Sequence, residues 1–194
     1  MRIVFAYPPT GNINREDRCQ VPAGKVPIAP TLPPMDLLSL AASAEAAGAE
    51  CRVMDCPAGG LDRRAFLTFL REFRPDLLVV SATTPTLLAD LDACREAKQA
   101  LPGLTIAAKG AHFLVFDRQV LAAHPDVDLL LRGEPEPIIG KIVRGASTGT
   151  IDGITWRKGG EIVRNPDADF TNELDALPFP ARHLIDNARY VRPD

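Results

Sequence analysis

The chain has 194 residues, of which 46% are hydrophobic and 24% are charged, and its net charge is −3. This length suits one domain of ordinary size with a short addition, and the composition is that of a folded chain rather than a disordered one. The small negative charge gives no general attraction to nucleic acid or to an anionic membrane surface. The first apolar run, Ile3 to Tyr7, is too short for a signal peptide or a membrane span. We therefore expect a cytoplasmic protein with no nucleic-acid partner and no membrane span.

Apolar runs alternate with stretches of helical periodicity up to about residue 143. Short β-branched or aliphatic runs predict strands at residues 2–6, 51–54, 77–80, 104–108 and 127–131. Apolar stripes with i, i+3, i+4 spacing predict helices over residues 34–48, 62–73, 87–102, 117–124 and from 137 onward. Asp62 is expected to be an N-cap, and Leu88 is expected to lie on the apolar stripe of its helix. A loop of functional length, residues 10–34, separates the first strand from the first helix.

Strict alternation of strands and helices predicts an α/β fold. Five such units with right-handed crossovers fit a parallel, flavodoxin-like (Rossmann-like) sheet of strand order 2-1-3-4-5. Beyond them, residues 151–157 and 161–164 flank Lys158-Gly159-Gly160, which predicts a β-hairpin appended to the sheet. The proline-rich but apolar residues 174–180 predict a docked linker. The expected organisation is a domain at 1–147, a hairpin appendage at 148–168 and a linker at 169–194.

The four cysteines, Cys19, Cys51, Cys56 and Cys94, indicate neither a zinc ribbon nor a redox dithiol. No two of them have the CxxC spacing that those sites require. Reduced thiols are therefore expected, with Cys94 on the apolar stripe of its helix.

Ligands of open parallel sheets bind beyond the carboxyl ends of the strands, near the point where strand order reverses. The candidate loops are therefore residues 7–11, 81–86, 109–113 and 132–137. The second of them places four hydroxyl groups between a strand and a helix, which suits amide or phosphate ligands, although Thr84 alone as an N-cap is an alternative. Gly110 directly after a strand either permits close approach of a ligand or only makes a turn.

Among the histidines, His112 at the mouth of the sheet is the functional candidate, whereas His124 and His183 are assigned to a helix end and to the linker. Glu134 and Glu136 are stabilised near a helix N-terminus by its macrodipole, but their negative charges would repel a phosphate. That loop is therefore expected to contact amide or hydroxyl groups.

Three nucleotide-related functions lack their motifs. There is no GxGxxG after the first strand, no GxxxxGKS or GxxxxGKT, and no aspartate cluster of a phospho-receiver. A flavin or another nucleotide stays open, because Thr10-Gly11-Asn12 could supply a phosphate loop. A non-catalytic module whose loops bind a partner protein is the remaining alternative.

The order of several segments resembles the N-terminal cobalamin-binding domain of cobalamin-dependent radical S-adenosylmethionine enzymes, the anaerobic magnesium-protoporphyrin monomethyl ester cyclase group among them. The matching segments are residues 7–9, 34–48, 81–86, 109–112, 132–134 and 153–156. The resemblance implies that the loops after strands one, three and four bury the nucleotide tail and the corrin edge. It implies cofactor contacts at Pro9, Thr10, Ser81, Thr83, Thr84, Pro85, Gly110, His112, Gly133 and Glu134.

This chain departs from that family's pattern at two positions. The family often has two glycines where this chain has Lys109-Gly110, and a second glycine where Pro135 stands. Corrinoid proteins that ligate cobalt use a DxHxxG motif after strand one, and residues 6–11 contain neither aspartate nor histidine. We therefore expect cobalt without a protein imidazole, tuned by the pocket and by solvent access.

The resemblance also implies a partner domain. The family's catalytic barrel binds an iron–sulfur cluster (4Fe-4S) through CxxxCxxC and uses S-adenosylmethionine, and the cysteine spacings here cannot supply that cluster. Residues 175–190 resemble the connector into the barrel. The expectation is a truncated piece that is not itself an enzyme, carries no catalytic residue, and belongs with a missing barrel that performs methyl transfer or ring formation.

Overall fold

A computed structural model of the chain describes residues 1–10 and 32–191. Its sheet has seven strands in the order β2-β1-β3-β4-β5-β6-β7. The strands are β1 Arg2–Tyr7, β2 Glu50–Asp55, β3 Leu77–Ser81, β4 Thr105–Lys109, β5 Leu129–Leu131, β6 Ile154–Lys158 and β7 Glu161–Arg164. The helices are α1 Met35–Ala46, α2 Cys56–Gly59, α3 Arg63–Phe73, α4 Leu87–Ala100, α5 Phe113–Ala123 and α6 Pro135–Val143. None of the helices in these residues is both long enough and apolar enough to cross a bilayer.

The first five strands are parallel and have the predicted order 2-1-3-4-5, which confirms the α/β fold. The expectation of a five-stranded, purely parallel sheet was wrong. The predicted hairpin forms, but β6 pairs antiparallel with β5, so the sheet is mixed and continues through β7. Pairing with β6 satisfies the outer edge of β5, which five strands alone would have left open. The domain boundaries after residues 147 and 168 remain predictions.

Alternation of side chains along β1 assigns the two faces of the sheet. Val4 and Ala6 pack into one core with α3, α4 and α5, whereas Ile3 and Phe5 pack into the other core with α1 and α6. Tyr7, two residues beyond Phe5, follows it onto the α1 face. This alternation decides which side chains at the strand ends can meet the beginning of α1.

Several boundaries differ from expectation for local reasons. Helix α5 begins at Phe113 rather than Asp117, because its first turn is continued across a kink at Phe116, whose φ is −108° and ψ 22°. Leu88, expected on the apolar stripe of α4, is 72% exposed. Cys94 lies on the buried face of α4 as predicted, and the other buried residues of this helix are Asp90, Leu91, Ala93 and Ala97. A buried aspartate on that face is not foreseen by a pattern based on hydrophobicity.

Asp62 caps α3 as predicted, because its carboxylate accepts a hydrogen bond from the Ala65 N–H at 2.7 Å. We expect Asp62→Ala to lower the free energy of unfolding by about 1 kcal/mol, measured by urea denaturation, because one N–H of the first turn loses its acceptor. The control is Asp152→Ala, at an exposed turn, which should change stability by less than about 0.5 kcal/mol. Equal losses in the two variants would contradict the capping role.

The C-terminal segment, residues 166–191, lies along the domain with only short 3-10 turns. The Ala181 N–H donates to the Leu38 carbonyl at 3.1 Å, and the Tyr190 hydroxyl donates to Asp55 at 3.1 Å. Ala181 is buried, whereas Phe179 is 95% exposed. Residues 174–180, predicted as a docked linker, lie within this segment, which is held at discrete points rather than by a continuous apolar face.

Candidate functional site

The strand order reverses between β1 and β3, so the crevice at the carboxyl ends of these strands is the first place to look for a ligand site. Tyr7 and Ser81 are the last residues of the two strands. Lys109 ends β4 and is directly opposite Ser81 in the register of β3 and β4. Three polar side chains therefore stand side by side at this edge of the sheet.

Asp36, in the first turn of α1, joins these three side chains into one cluster. The Tyr7 hydroxyl donates to one carboxylate oxygen, and the Ser81 hydroxyl donates to the other at 2.8 Å. The Lys109 ammonium pairs with that second oxygen at 2.5 Å. We call Asp36, Tyr7, Ser81 and Lys109 the Asp36 cluster. It ties the ends of three parallel strands to the start of one helix.

The cluster keeps Asp36 ionised. Burial acts to raise the pKa of Asp36, but the Lys109 charge and the hydrogen bonds from Lys109, Tyr7 and Ser81 outweigh it, so the pKa lies below its ordinary value. The carboxylate also lies at a helix N-terminus, where negative charge is favoured.

The hydroxyl loop after β3 does not act as a simple helix cap. Residues 84–86 form a 3-10 turn before α4, and no side chain caps either element. Thr86 donates to the buried Asp90 at 2.6 Å, and its hydroxyl is 2.7 Å from that of Thr83. The N-cap interpretation of Thr84 was therefore wrong. Thr84 and Pro85 are both exposed at the edge of the sheet.

His112 joins this loop to the one after β4. Its Nδ1 atom lies 3.3 Å from the Thr84 hydroxyl, and its ring lies 4.9 Å from that of Phe116. Phe116 and Val115 are exposed by 46% and 68%. Hydroxyl groups, an imidazole and apolar side chains are thus presented together at the mouth of the sheet.

Gly110 brings the backbones of the same two loops into contact. A Cβ atom on Gly110 would overlap the carbonyl oxygen of Ala82, and its φ of +151° is unfavourable for other residues. The Ala82 N–H also donates to the Lys109 carbonyl at 2.8 Å. The close approach at Gly110 is therefore between the two neighbouring loops.

Pro9 and Thr10 lie on the other side of the switch point. They line a cleft of about 560 Å³ between the end of β1, α2 and the start of α3, together with Cys56, Pro57, Leu61 and Arg63. Gly11 and Asn12, which with Thr10 formed the predicted phosphate loop, lie outside the described residues, as does Cys19.

Gly133 and Glu134 are separate from the Asp36 cluster. Glu134 accepts a hydrogen bond from the Thr171 N–H of the C-terminal segment at 2.7 Å. That backbone hydrogen bond lowers the pKa of Glu134. Gly133 has a φ of +73° with open space where a Cβ would stand. The adjoining Arg132 is 2% exposed and points beneath the hairpin rather than outward.

The structure therefore divides the predicted contacts into groups. The loops after β3 and β4 meet each other directly, Pro9 and Thr10 line the cleft beyond β1, and Glu134 is engaged by the C-terminal segment. Sequence reasoning missed Asp36 and the side chains of Tyr7 and Lys109. Tyr7 and Lys109 could have been found from the sequence, because both lie in candidate loops at the ends of predicted parallel strands.

The described cysteines, Cys51, Cys56 and Cys94, are all buried. Burial, and then the charge of Glu45, raises the pKa of Cys51 to about 12, and burial also raises the pKa of Cys94. Within residues 1–10 and 32–191, no three His, Cys, Asp or Glu side chains are arranged to hold a metal ion.

Comparison with known proteins gives a family match and several relatives. Residues 25–142 match the B12 binding domain model. The anaerobic magnesium-protoporphyrin IX monomethyl ester cyclase of Cereibacter sphaeroides is 24% identical over 199 residues, which cover 98% of this chain and 31% of that protein. The uncharacterized methyltransferase PH0819 of Pyrococcus horikoshii is 23% identical over 194 residues, which cover 98% of this chain and 40% of that protein. The chain thus spans well under half of the curated relatives that it matches.

Two solved enzymes have a similar fold. The radical S-adenosylmethionine methyltransferase TsrM from Kitasatospora setae, with tryptophan and a SAM analog bound, superposes with a TM-score of 0.66 at 16% identity, covering 87% of this chain and 30% of that one. The cobalamin-dependent S-adenosylmethionine radical enzyme OxsB, with aqua-cobalamin and S-adenosylmethionine bound, superposes with a TM-score of 0.64 at 14% identity. The match covers 93% of this chain and 24% of that one.

Proposed function

This chain belongs to the B12-binding domain family, and we propose that it holds a cobalamin across the carboxyl edge of its parallel strands. The observation that carries the proposal is the meeting of the hydroxyl loop after β3 with the glycine loop after β4, beside the switch point of the sheet. Contacts from Ser81, Thr83, Thr84, Gly110 and His112 would come from these two loops, and contacts from Pro9 and Thr10 from the loop after β1.

The residues present fit such a cofactor. A corrin is a broad ring with an apolar face and a rim of amide groups, so it needs hydrogen-bonding groups and apolar contacts. Gly110 allows the loops after β3 and β4 to lie in direct backbone contact, because a Cβ there would overlap the Ala82 carbonyl oxygen. Thr84 and His112 supply polar groups, and the exposed Phe116 supplies an apolar one.

A bound cobalamin supplies the cobalt chemistry, and the chain's part is to bind it, orient it and limit its contact with water. We propose that no histidine of this chain ligates cobalt. Residues 7–10 contain none, and His112 lies against Thr84 and Phe116 in the loop after β4. Contacts from Pro85, Gly133 and Glu134 to the cofactor are also proposed. A cofactor contact at Glu134 would compete with its hydrogen bond from the Thr171 N–H.

We further propose that the chain is the cofactor-holding part of a larger cobalamin-dependent radical S-adenosylmethionine enzyme. Its span of 31% to 40% of the curated relatives' lengths supports this. An iron–sulfur barrel would then follow the C-terminal segment and perform methyl transfer or ring formation. Sequencing the gene beyond residue 194 tests it: a CxxxCxxC motif is expected soon after, and a stop codon there would refute the proposal.

Binding of hydroxocobalamin is the direct test of cofactor binding. The 194-residue chain is expected to elute from gel filtration together with the visible absorbance of the corrinoid, because the folded edge of the sheet presents its polar and apolar groups to it. The same chain unfolded in urea is the control and should elute without the colour. Retention of flavin mononucleotide but not of the corrinoid would support a flavin function instead. Retention of neither ligand would contradict both functions.

A further inference from the structure

Helix α2 is too short to be stable by itself. It has four residues, Cys56–Gly59, and an isolated helix of that length does not form in water. Two caps support it: the Asp55 carboxylate accepts a hydrogen bond from the Ala58 N–H at 3.1 Å, and Gly60 ends the helix with a φ of +61°. Caps satisfy backbone groups but bury little surface, so the position of α2 also depends on what packs against it.

The C-terminal segment packs against α2. This segment begins after β7, which is one outer strand of the sheet, and it ends beside β2, which is the other. There the Tyr190 hydroxyl donates to Asp55 at 3.1 Å, through the carboxylate oxygen that does not cap α2. The Arg189 guanidinium lies 3.1 Å from the point where a Cβ on Gly59 would stand. Two neighbouring side chains of the segment therefore contact α2 and its cap.

Tyr190 keeps the hydrogen that it donates to Asp55. Burial, and then the charge of Asp55, raises the pKa of Tyr190. One carboxylate thus accepts two hydrogen bonds, the first from α2 and the second from the C-terminal segment. A shift of Asp55 changes both bonds together.

Helix α2 also borders a candidate cofactor cleft. The cleft has a volume of about 560 Å³, and Cys56, Pro57 and Gly60 line it together with Pro9 and Thr10. Pro9 and Thr10 are proposed cofactor contacts, whereas the loop after β2, which contains α2, was not among the candidate loops. The contact between Tyr190 and Asp55 therefore supports one wall of this cleft.

We propose that α2 is a wall of the cofactor site and that Tyr190, acting through Asp55, holds this wall in its binding position. The inference rests on the proposed cobalamin function and adds to it a loop and a segment that had no part in it. Tyr190 is a positioning residue, since it contacts Asp55 and does not line the cleft. Because linkage is reciprocal, cofactor in the cleft and docking of residues 186–190 stabilise each other. The segment that leads toward the proposed barrel thereby responds to cofactor occupancy.

Hydrogen exchange followed by mass spectrometry tests this coupling on the 194-residue chain. Hydroxocobalamin should slow exchange in residues 56–61 and also in residues 186–190, although the latter do not line the cleft. Tyr190→Phe loses the hydroxyl but keeps the ring. In this variant the cofactor should still slow exchange in residues 56–61 but no longer in residues 186–190. The variant should also bind hydroxocobalamin about fivefold more weakly than the unmodified chain, because one hydrogen bond that supports the cleft is missing.

A double-mutant cycle assigns the effect to the proposed contact. Asp55→Ala removes both hydrogen bonds, so it should weaken hydroxocobalamin binding at least as much as Tyr190→Phe. Adding Tyr190→Phe to Asp55→Ala should cause no further loss.

His183→Ala is the matched control. His183 also belongs to the C-terminal segment, but it contacts Glu45 at 3.2 Å in the last turn of α1, and neither residue lines the cleft. This variant should change hydroxocobalamin binding by less than about twofold. Exchange in residues 186–190 should still slow when the cofactor binds.

Each other outcome is decisive. Binding without slowed exchange in residues 186–190 overturns the inference and leaves the cobalamin function intact, as does equally tight binding by Tyr190→Phe. Equal weakening by Tyr190→Phe and His183→Ala also overturns it, because the effect would then belong to docking of the segment in general. Failure of the unmodified chain to bind hydroxocobalamin refutes the proposed function and this inference with it. If Tyr190→Phe does not fold, exchange in the unmodified chain still decides the question.

Discussion

Gly110→Ala is expected to lower the free energy of unfolding by about 3 kcal/mol, because it combines a steric overlap with an unfavourable backbone conformation. The added Cβ would overlap the carbonyl oxygen of Ala82, which is a backbone atom, and the backbone fixes the Cβ position, so no side-chain rotation can relieve the overlap. Ala82 is 2% exposed and its N–H bonds the Lys109 carbonyl, which ties the loop after β3 in place. Urea denaturation measures the loss, and corrinoid titration of the folded fraction should show weakened binding.

Two other glycines separate the causes of that loss. Gly133→Ala places an alanine at a φ of +73° with open space around its Cβ. It should lower the free energy of unfolding by about 1 kcal/mol, through the unfavourable backbone conformation alone. Gly103→Ala, at the opposite end of the sheet and with no atom near its Cβ, should change stability by less than about 0.5 kcal/mol. A loss at Gly110 no larger than that at Gly133 would show that the two loops are not in close contact.

Local sequence patterns were sufficient for the parallel part of the fold. The apolar runs that became β1, β3 and β4 are bounded by turn residues and flanked by amphipathic helices, so both their existence and their order could be predicted. The loops that carry the candidate site followed from that order alone. Asp62 was identifiable because an N-cap signal depends only on its own helix.

The side chains that organise the site depend on contacts far apart in the chain. Asp36 looks in sequence like an ordinary acidic residue in a first helical turn, a place where the macrodipole alone explains it. Its partners at 7, 81 and 109 come from three different strand ends. Only the three-dimensional register of the sheet brings them to one carboxylate.

The hairpin illustrates the same limit. Its turn was predictable from Lys158-Gly159-Gly160, but its pairing partner was not, because antiparallel addition to β5 is decided by burial outside the hairpin. Arg132, which the sequence placed in a candidate ligand loop, instead extends under the hairpin to the Asn165 carbonyl at 2.6 Å. The sequence pattern could not show that Arg132 is buried, because polarity alone does not reveal burial.

Asp117→Asn is expected to lower the free energy of unfolding at pH 7 by about 3 kcal/mol, because it removes the carboxylate of a buried ionic cluster. Asp117 is 4% exposed, accepts the Thr155 hydroxyl at 2.5 Å and the Arg164 Nε at 2.9 Å, and lies 3.5 Å from the Arg132 Nε. It therefore joins α5 to β6, to β7 and to the residue that follows β5. An asparagine keeps the size but leaves two guanidinium groups without this counter-charge.

The pH dependence gives this variant its strongest test. Burial acts to raise the pKa of Asp117, but hydrogen bonds from Thr155, the Arg118 backbone and Arg164 outweigh it and hold the pKa below its ordinary value. Its contribution is therefore complete above the unfolded pKa, about 4, and is lost as the pH falls through the folded pKa. The stability gap between wild type and Asp117→Asn should accordingly shrink below about pH 4. Asp92→Asn, in an exposed pair with Arg95, is the control and should cost less than about 1 kcal/mol at either pH. A gap that stays constant as the pH falls would mean that packing around residue 117, rather than its charge, holds the hairpin to the sheet.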